Sequence, residues 1–337
     1  RLGLCVAGLN GAVASTLVAG LALMRRRLAA PIALISEAYR RSHQLAGWDD
    51  FVVAGWDPRG ETLCESTRRH RVLEPHRLQP IAKELARQTV WERPSGRDRA
   101  ARDIETFRRT HRLETVIVLN LIPTGENRAS TQYAQAAQDT GCPFINFTPN
   151  DCREDKLTAI PFAGRDGKTG QTWLKSVLAP ALRARDLRVT GWFSTNLLGN
   201  DDGKVVGHPV KGRQKIRDKK RLLGPLLGYD PFHLVQINYF PPRGDTKESW
   251  DYIDLEGFLG MPMQLRISAQ YRDSILAAPM CLDLARFLAL AQRRGERGPQ
   301  EWLSYFFKSP YARQPGNPPP HDAAKQERLL AEYLERG

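Results

Sequence analysis

Several lysines in this chain stand at fixed offsets from acidic or glycine-containing turns. Residues 198–203 read Leu-Gly-Asn-Asp-Asp-Gly, and Lys215 and Lys219 follow. A second turn, Gly244-Asp245-Thr246-Lys247, ends on a lysine. Asp273 and Ser274 open a helical stretch, and Lys308 lies in Leu-Ser-Tyr-Phe-Phe-Lys-Ser-Pro. Ammonium groups that converge on one pocket hold a phosphate and stabilise an enolate-like intermediate. Lysines also accept and return protons, and crowding them lowers their pKa toward a useful range.

The run from 211 to 221 has seven basic residues and one acid. Lys211, Lys215 and Lys219 are spaced by four, so in a helix they share one face. Taken alone, the run reads as a solvated basic face or a nucleic-acid patch. Its distance from the Asp-Asp-Gly turn assigns it to a pocket instead. Residues 204–221 carry eight basic residues with Gly207 and Gly212, so this segment is expected to order only over an anionic ligand.

A different chemistry is written at the start of the chain. Gly8-Leu9-Asn10-Gly11-Ala12-Val13-Ala14 is a variant of the Gly-x-Gly-x-x-Gly/Ala turn. Gly8 permits the tight turn and Ala14 permits close helix–strand packing. A pyrophosphate would sit over the helix N-terminus, where free amides and the helix dipole favour anions. Asn10 replaces the second glycine, but Gly11 follows at once. By itself the turn fits any α/β protein equally well. Asp57, at the end of the next strand, is placed to accept from a ribose hydroxyl. It lies farther on than the usual ~20 residues, so an inserted helix must intervene. Gly167-Lys168-Thr169 has the ending of a P-loop, but Phe162 stands where that motif needs its first glycine.

The elements that must position these residues follow from pattern. A length of 337 residues allows two domains. Residues 2–24 carry no charge and precede three arginines, which mimics a membrane span. Gly8, Asn10 and Gly11 interrupt it, so we read a buried strand, a turn and a helix, and expect no membrane partner. Strands are expected at 2–7, 51–55, 115–121 and 143–147, and helices at 15–27 and 129–140. Residues 61–112 are expected to be mostly helical, with a break at 94–96. This alternation predicts a doubly wound parallel sheet. Beyond residue 164, a helix at 169–185 and strands at 188–193, 234–239 and 263–269 predict a second sheet. Helices are expected at 273–294 and 323–335.

Composition narrows the classes. The hydrophobic share of 41% supports ordinary cores. A formal charge of +13 and an isoelectric point near 9.7 suggest anionic partners. No zinc-finger or RNP-type motif appears, so nucleic acid is not expected. Five scattered cysteines without a Cys-x-x-Cys pair exclude a disulfide framework and suit a reducing cytoplasm. The seven histidines show no metal-ligand spacing, so no metal is expected. The chain starts at Arg1 and not at Met, so a few residues are expected upstream.

The co-linear motifs resemble the myo-inositol-1-phosphate synthase family, in a compact bacterial form. Residues 8–18 look like its nucleotide loop, and Gly55-Trp56-Asp57 like its Gly-Trp-Asp. Residues 141–149 are similar to its Gly-Cys-x-Phe-Ile-Asn-Gly-Ser/Thr-Pro. Gly170-Gln171-Thr172 with Lys175-Ser176-Val177-Leu178 is similar to its Ser-Gly-Gln-Thr helix. The turns at 198–203 and 244–247, Asp273-Ser274 with Pro279, and the Lys308 segment complete a likeness over nearly the whole chain. Departures are Arg165-Asp166 in place of paired acids, and the absence of serines beside Lys215 and Lys219.

The resemblance implies a Rossmann-like NAD-binding domain, residues 1–165 with 275–337. An inserted α+β catalytic and oligomerisation domain would be residues 166–274. It implies that NAD takes hydride from carbon 5 of glucose 6-phosphate, that enolisation and intramolecular aldol attack close the ring, and that hydride then returns. Lys215 and Lys308 would serve the reacting oxygens and proton transfer. Lys219 and Lys247 would bind phosphate, and Asp166 and Asp273 would orient lysines or nicotinamide. Gly8, Leu9, Asn10, Gly11, Asp57, Thr124, Asn200, Asp201, Asp202, Asp245 and Ser274 would contact the cofactor. A cytoplasmic homotetramer is implied. The alternatives are a paralogous cyclase making another carbocycle, and a non-enzymatic dinucleotide- or nucleic-acid-binding protein.

Overall fold

The computed structural model describes residues 1–199, 222–314 and 316–336. Two compact units emerge. One comprises Arg1–Gly167, Ser274–Pro319 and Leu329–Gly337, and the other Lys168–Asp273 and Pro320–Arg328. The strands, in chain order, are β1 (Leu2–Ala7), β2 (Phe51–Trp56), β3 (Val90–Trp91), β4 (Thr115–Asn120), β5 (Phe144–Asn146) and β6 (Pro161–Gly164). They continue with β7 (Arg188–Leu198), β8 (Phe232–Tyr239), β9 (Thr246–Glu256), β10 (Pro262–Arg272) and β11 (Gly298–Pro299).

In the first unit, the order among the described residues is β11-β6-β5-β4-β1-β2-β3, and every pairing is parallel. β1 and β4 are almost wholly apolar because both faces of a parallel sheet are covered. The helices Ala12–Arg25 and Asp273–Arg293 supply one cover, through Leu17, Leu21, Leu284, Phe287 and Leu288. Arg97–His111 and Asn127–Asp139 supply the other, through Ile104, Phe107, Tyr133 and Ala134. This is the doubly wound Rossmann-like architecture. The order reverses between β1 and β4, which opens a crevice at their carboxyl ends.

The apolar stretch after Arg1 is therefore β1 and the buried helix Ala12–Arg25. Among the described residues, the helix Asp273–Arg293 is long and apolar enough to cross a membrane, and 72% of its most apolar window is buried inside the fold. It also explains the long gap before Asp57. The inserted segment contains the short helix Ser36–Tyr39. Asp283 on the long helix accepts from the Ile35 and Ser36 amides at 3.0 and 2.9 Å. Arg286 lies over the Trp48 ring at 3.6 Å.

In the second unit the order is β10-β9-β7-β8, with β7 and β8 parallel and the other pairings antiparallel. The helices Gly170–Ala184 and Leu223–Leu227 pack on one face, over Trp192, Ile253 and Leu255. The pattern did not predict β9. Its inward positions include Ser249 and Asp251, both 1% exposed, so polar residues break the apolar alternation. β7 also runs on to Leu198, beyond its expected end, and the two-residue strands β3 and β11 are too short to show in pattern. The five cysteines are buried and free.

Candidate active site

The first unit builds a turn suited to a dinucleotide. β1 ends at Ala7, and Gly8 takes φ +88, a left-handed value. A Cβ on Gly8 would approach the Leu121 carbonyl to 3.0 Å, so glycine is required twice over. The amides of Gly8 and Leu9 donate to the Trp56 carbonyl at 2.8 and 3.1 Å, tying the turn to β2. Gly11 is the N-cap of the helix Ala12–Arg25 and offers no capping side chain. The first-turn amides are thus left for an anion.

Asp57 shapes the turn itself. Its carboxylate accepts from the Asn10 amide at 3.0 Å and from the Arg59 amide at 3.0 Å. It clamps the glycine turn to the end of β2 and keeps acceptor capacity for a hydroxyl. Asn10 is fully buried and donates to the Glu61 carbonyl at 3.0 Å. Its Oδ1 is buried with no hydrogen-bond partner among the described residues. A buried orphan acceptor, a glycine cradle and an uncapped helix together fit a dinucleotide. Thr124 follows β4, at the same edge of the sheet. Ser274, 2% exposed, is the second residue of the long helix.

At the end of β6 a short ribbon carries the first lysine–aspartate pair. Lys308 Nζ lies 2.9 Å from Asp166 Oδ1, with side chains 26% and 19% exposed. The backbones are joined as well, since the Lys308 amide donates to the Asp166 carbonyl at 2.7 Å. Asp166 takes φ +63, a conformation that Asp tolerates better than most residues. Its own amide donates to Thr148 at 3.1 Å. The carboxylate direction is therefore fixed by backbone on both sides.

The second unit carries another pair. Lys247, on β9, lies 3.3 Å from Asp273 Oδ2, with side chains 12% and 24% exposed. Asp245, just before β9, is 8% exposed. Sequence reasoning missed a neighbour. Gly170 opens the helix Gly170–Ala184 with φ +52, and a Cβ there would sit 3.8 Å from Lys247 Nζ. The N-cap Thr169 makes no side-chain capping bond. Open amides beside a lysine ammonium form an anion cradle. The signal was a Gly-Gln-Thr triplet at a helix start, which we used only as a likeness.

Behind that cradle runs a polar network. Gln171 Nε2 donates to Asp251 Oδ2 at 2.8 Å, and Trp192 and Ser194 donate to Asp251 Oδ1 at 2.8 and 2.6 Å. Asn196 Nδ2 donates to Gln171 Oε1 at 2.5 Å. Among the described residues of this unit, Lys168 and Lys175 have lowered pKa values. Burial pushes Lys175 down to about 8, opposed by the Asp251 charge, and its Nζ lies 2.8 Å from His233 Nε2. Burial pushes Lys168 down to about 7, opposed by Asp322, while its Nζ bonds to Gln326 Oε1. Pattern could not reveal this, because burial rather than spacing causes it.

Asn200, Asp201, Asp202, Lys215 and Lys219, and the whole basic run, lie outside the described residues. Among the described residues, no group of three or more His, Cys, Asp or Glu is arranged to hold a metal.

Comparison with known proteins gives a consistent picture. Residues 170–274 match the family model for myo-inositol-1-phosphate synthase. Inositol-3-phosphate synthase 1 of Bacteroides thetaiotaomicron is 33% identical over 410 residues, covering 99% of this chain and 95% of the relative. The human inositol-3-phosphate synthase 1 is 30% identical over 85% of this chain, which spans 64% of the human length. Among solved structures, inositol-3-phosphate synthase of Caenorhabditis elegans superposes with a TM-score of 0.83 at 21% identity, covering 99% of this chain and 85% of that one. A myo-inositol-1-phosphate synthase-related protein of Thermotoga maritima gives 0.76 at 19% identity, covering 99% and 98%.

Proposed function

The chain belongs to the inositol-3-phosphate synthase family, and on that premise we propose that it isomerises D-glucose 6-phosphate to 1D-myo-inositol 3-phosphate with NAD+ as cofactor. The observation that carries this reading is the Lys247–Asp273 pair beside the open start of the helix Gly170–Ala184. A sugar phosphate needs a fixed cation and free amides, and this arrangement supplies both.

When bound, NAD+ supplies oxidation at carbon 5 and later reduction at the same carbon. The backbone turn of Gly8, Leu9 and Gly11 and the open first-turn amides of the helix Ala12–Arg25, with Asn10 and Asp57, would hold the dinucleotide. Thr124, Asp245 and Ser274 would also contact it, and residues 200–202 would line its nicotinamide end. The remaining work belongs to the chain's charges. A ketone at carbon 5 acidifies the carbon 6 protons. One proton must leave carbon 6, and the enolate oxygen must be met by a cation. Carbon 6 then attacks the carbon 1 aldehyde, and the carbon 1 oxygen takes up a proton as the ring closes. We assign Lys215 and Lys308 to these oxygens and proton transfers. Lys219 and Lys247 hold phosphate. Asp166 orients the Lys308 ammonium and Asp273 that of Lys247, so both arrive with their position already fixed.

We place the enzyme in the cytoplasm as a homotetramer. Tyr252 and Met263, on β9 and β10, are 38% and 44% exposed, and a second copy would cover such positions. The functional reading is tested by incubating the protein with glucose 6-phosphate and NAD+ and identifying the product by NMR. A myo-inositol phosphate supports it. An oxidised sugar phosphate with stoichiometric NADH contradicts it.

A further inference from the structure

Behind the Lys308–Asp166 pair lies a polar cluster that the reaction above does not use. The Tyr311 hydroxyl donates to Glu154 Oε1 and accepts from Asn146 Nδ2 at 3.0 Å. The same Glu154 oxygen accepts from Asn146 Nδ2 at 3.2 Å and from the Cys152 amide at 3.3 Å. Asn146, at the end of β5, is fully buried. Burial pushes the Glu154 carboxyl up, and the Arg165 guanidinium works against that rise.

Tyr311 is also built into the ribbon that carries the pair. Residues 307–311 run antiparallel to 164–167. The Tyr311 amide donates to Gly164 at 2.8 Å, and Arg165 and Ser309 exchange bonds at 2.9 and 3.1 Å. Lys308 donates to Asp166 at 2.7 Å, and Gly167 bridges Phe307. The Tyr311 ring meets Phe162 edge-on at 5.4 Å. A Cβ on Gly164 would come within 2.5 Å of that ring, so the tyrosine packs closely against the Gly164 backbone.

We propose that Tyr311 and Glu154 are positioning residues: their hydroxyl–carboxylate contact locks the two short segments in register and thereby fixes where the Lys308 ammonium sits. The reason is geometric. A ribbon this short holds its register weakly, and a one-residue slip would turn every side chain to the other face. The Tyr311 hydroxyl ties the far end of the ribbon to Asn146 and Glu154, which belong to neither segment. A shift of about 1 Å at a reacting group costs about 100-fold in rate. The proposal rests on the functional reading for its kinetic arm only.

The test uses the full chain. Tyr311→Phe keeps the ring and removes the hydroxyl. It should lower kcat by about 10- to 100-fold, with KM for glucose 6-phosphate and Kd for NAD+ within about twofold. Glu154→Leu should behave alike, and the double variant should be no worse than either single one. Glu154→Gln keeps an acceptor oxygen for the hydroxyl and should restore kcat to within about threefold of the parent. Hydrogen exchange at the Lys308 amide should speed up in Tyr311→Phe and Glu154→Leu and stay slow in Glu154→Gln. Unchanged kcat and unchanged Lys308 exchange in Tyr311→Phe would overturn the proposal, as would independent, additive losses in the double variant. If the parent protein makes no inositol phosphate, the functional reading fails, and the exchange measurement alone still decides the positioning role.

Discussion

Asp166→Asn isolates the charge that holds Lys308. Asn tolerates the left-handed φ of +63 that Asp166 adopts, so the backbone should survive. The carbonyl oxygen of Asn can still accept from Lys308 Nζ, now 2.9 Å from Oδ1. Only the negative charge is lost. The two side chains are 26% and 19% exposed, which places the pair between surface and interior. Exposed pairs contribute about 0.2–1 kcal/mol, and breaking a fully buried one costs about 3–5 kcal/mol. A loss of about 1–2 kcal/mol in folding stability is expected. In the barrier the same loss is expected once more, because an ammonium without its counter-charge is no longer held where charge develops. That corresponds to about 5- to 30-fold in kcat, at 1.36 kcal/mol per factor of ten. Denaturant unfolding and inositol phosphate formation measure the two effects. NAD+ affinity should not move. Full activity in Asp166→Asn would refute the role given to the pair, and a lost dinucleotide affinity would move Asp166 to the cofactor.

Other expectations concern the lysines and the cradle. Lys215→Ala, Lys247→Ala and Lys308→Ala should each cost about 2.7–4 kcal/mol in the barrier while NAD+ binding survives. Lys220→Ala is the control, and losses as large there would recast the run as a diffuse anion patch. Gly170→Ala places a methyl 3.8 Å from Lys247 Nζ at a left-handed φ of +52. It should cost about 1–2 kcal/mol of stability and raise KM for glucose 6-phosphate, and an unchanged KM would remove the helix start from the phosphate site. Lys168 and Lys175 titrate near 7 and 8 in the folded chain, below the ordinary lysine value of 10.5. The unfolded chain binds more protons between those values, so folding stability should rise from about pH 7 to pH 10. Urea unfolding across that range should show the rise, and Lys168→Met should remove the larger part of it and leave the part that Lys175 contributes. A flat profile in the parent chain would contradict the buried, neutral state of these lysines.

The sequence carried the first unit well because its elements are pure in pattern. β1 and β4 are apolar runs, the glycines of the first turn mark a boundary, and the helix Asp273–Arg293 is long and strongly apolar. The second unit was harder to read. Asp251 and Ser249 point inward on β9 and are satisfied by partners on β7, β10 and the helix Gly170–Ala184. Nothing local distinguishes such residues from a solvated strand or loop. Asp57 shows another limit. Its position after β2 was legible, but its grip on the Asn10 amide depends on a turn 47 residues earlier folding back onto it. Pairing of Lys308 with Asp166 spans 142 residues, and spacing in sequence says nothing about it. The lowered pKa values of Lys168 and Lys175 arise from burial, which only the packed fold defines.

The central claim is that one carbon is oxidised and then reduced again within a single turnover. Glucose 6-phosphate carrying deuterium at carbon 5 tests this directly, with NAD+ present and the product read by NMR and mass spectrometry. The account predicts a myo-inositol phosphate that retains the deuterium at the carbon it started from, with no NADH accumulating. Deuterium lost to solvent, or recovered in released NADH beside an oxidised sugar phosphate, would contradict it.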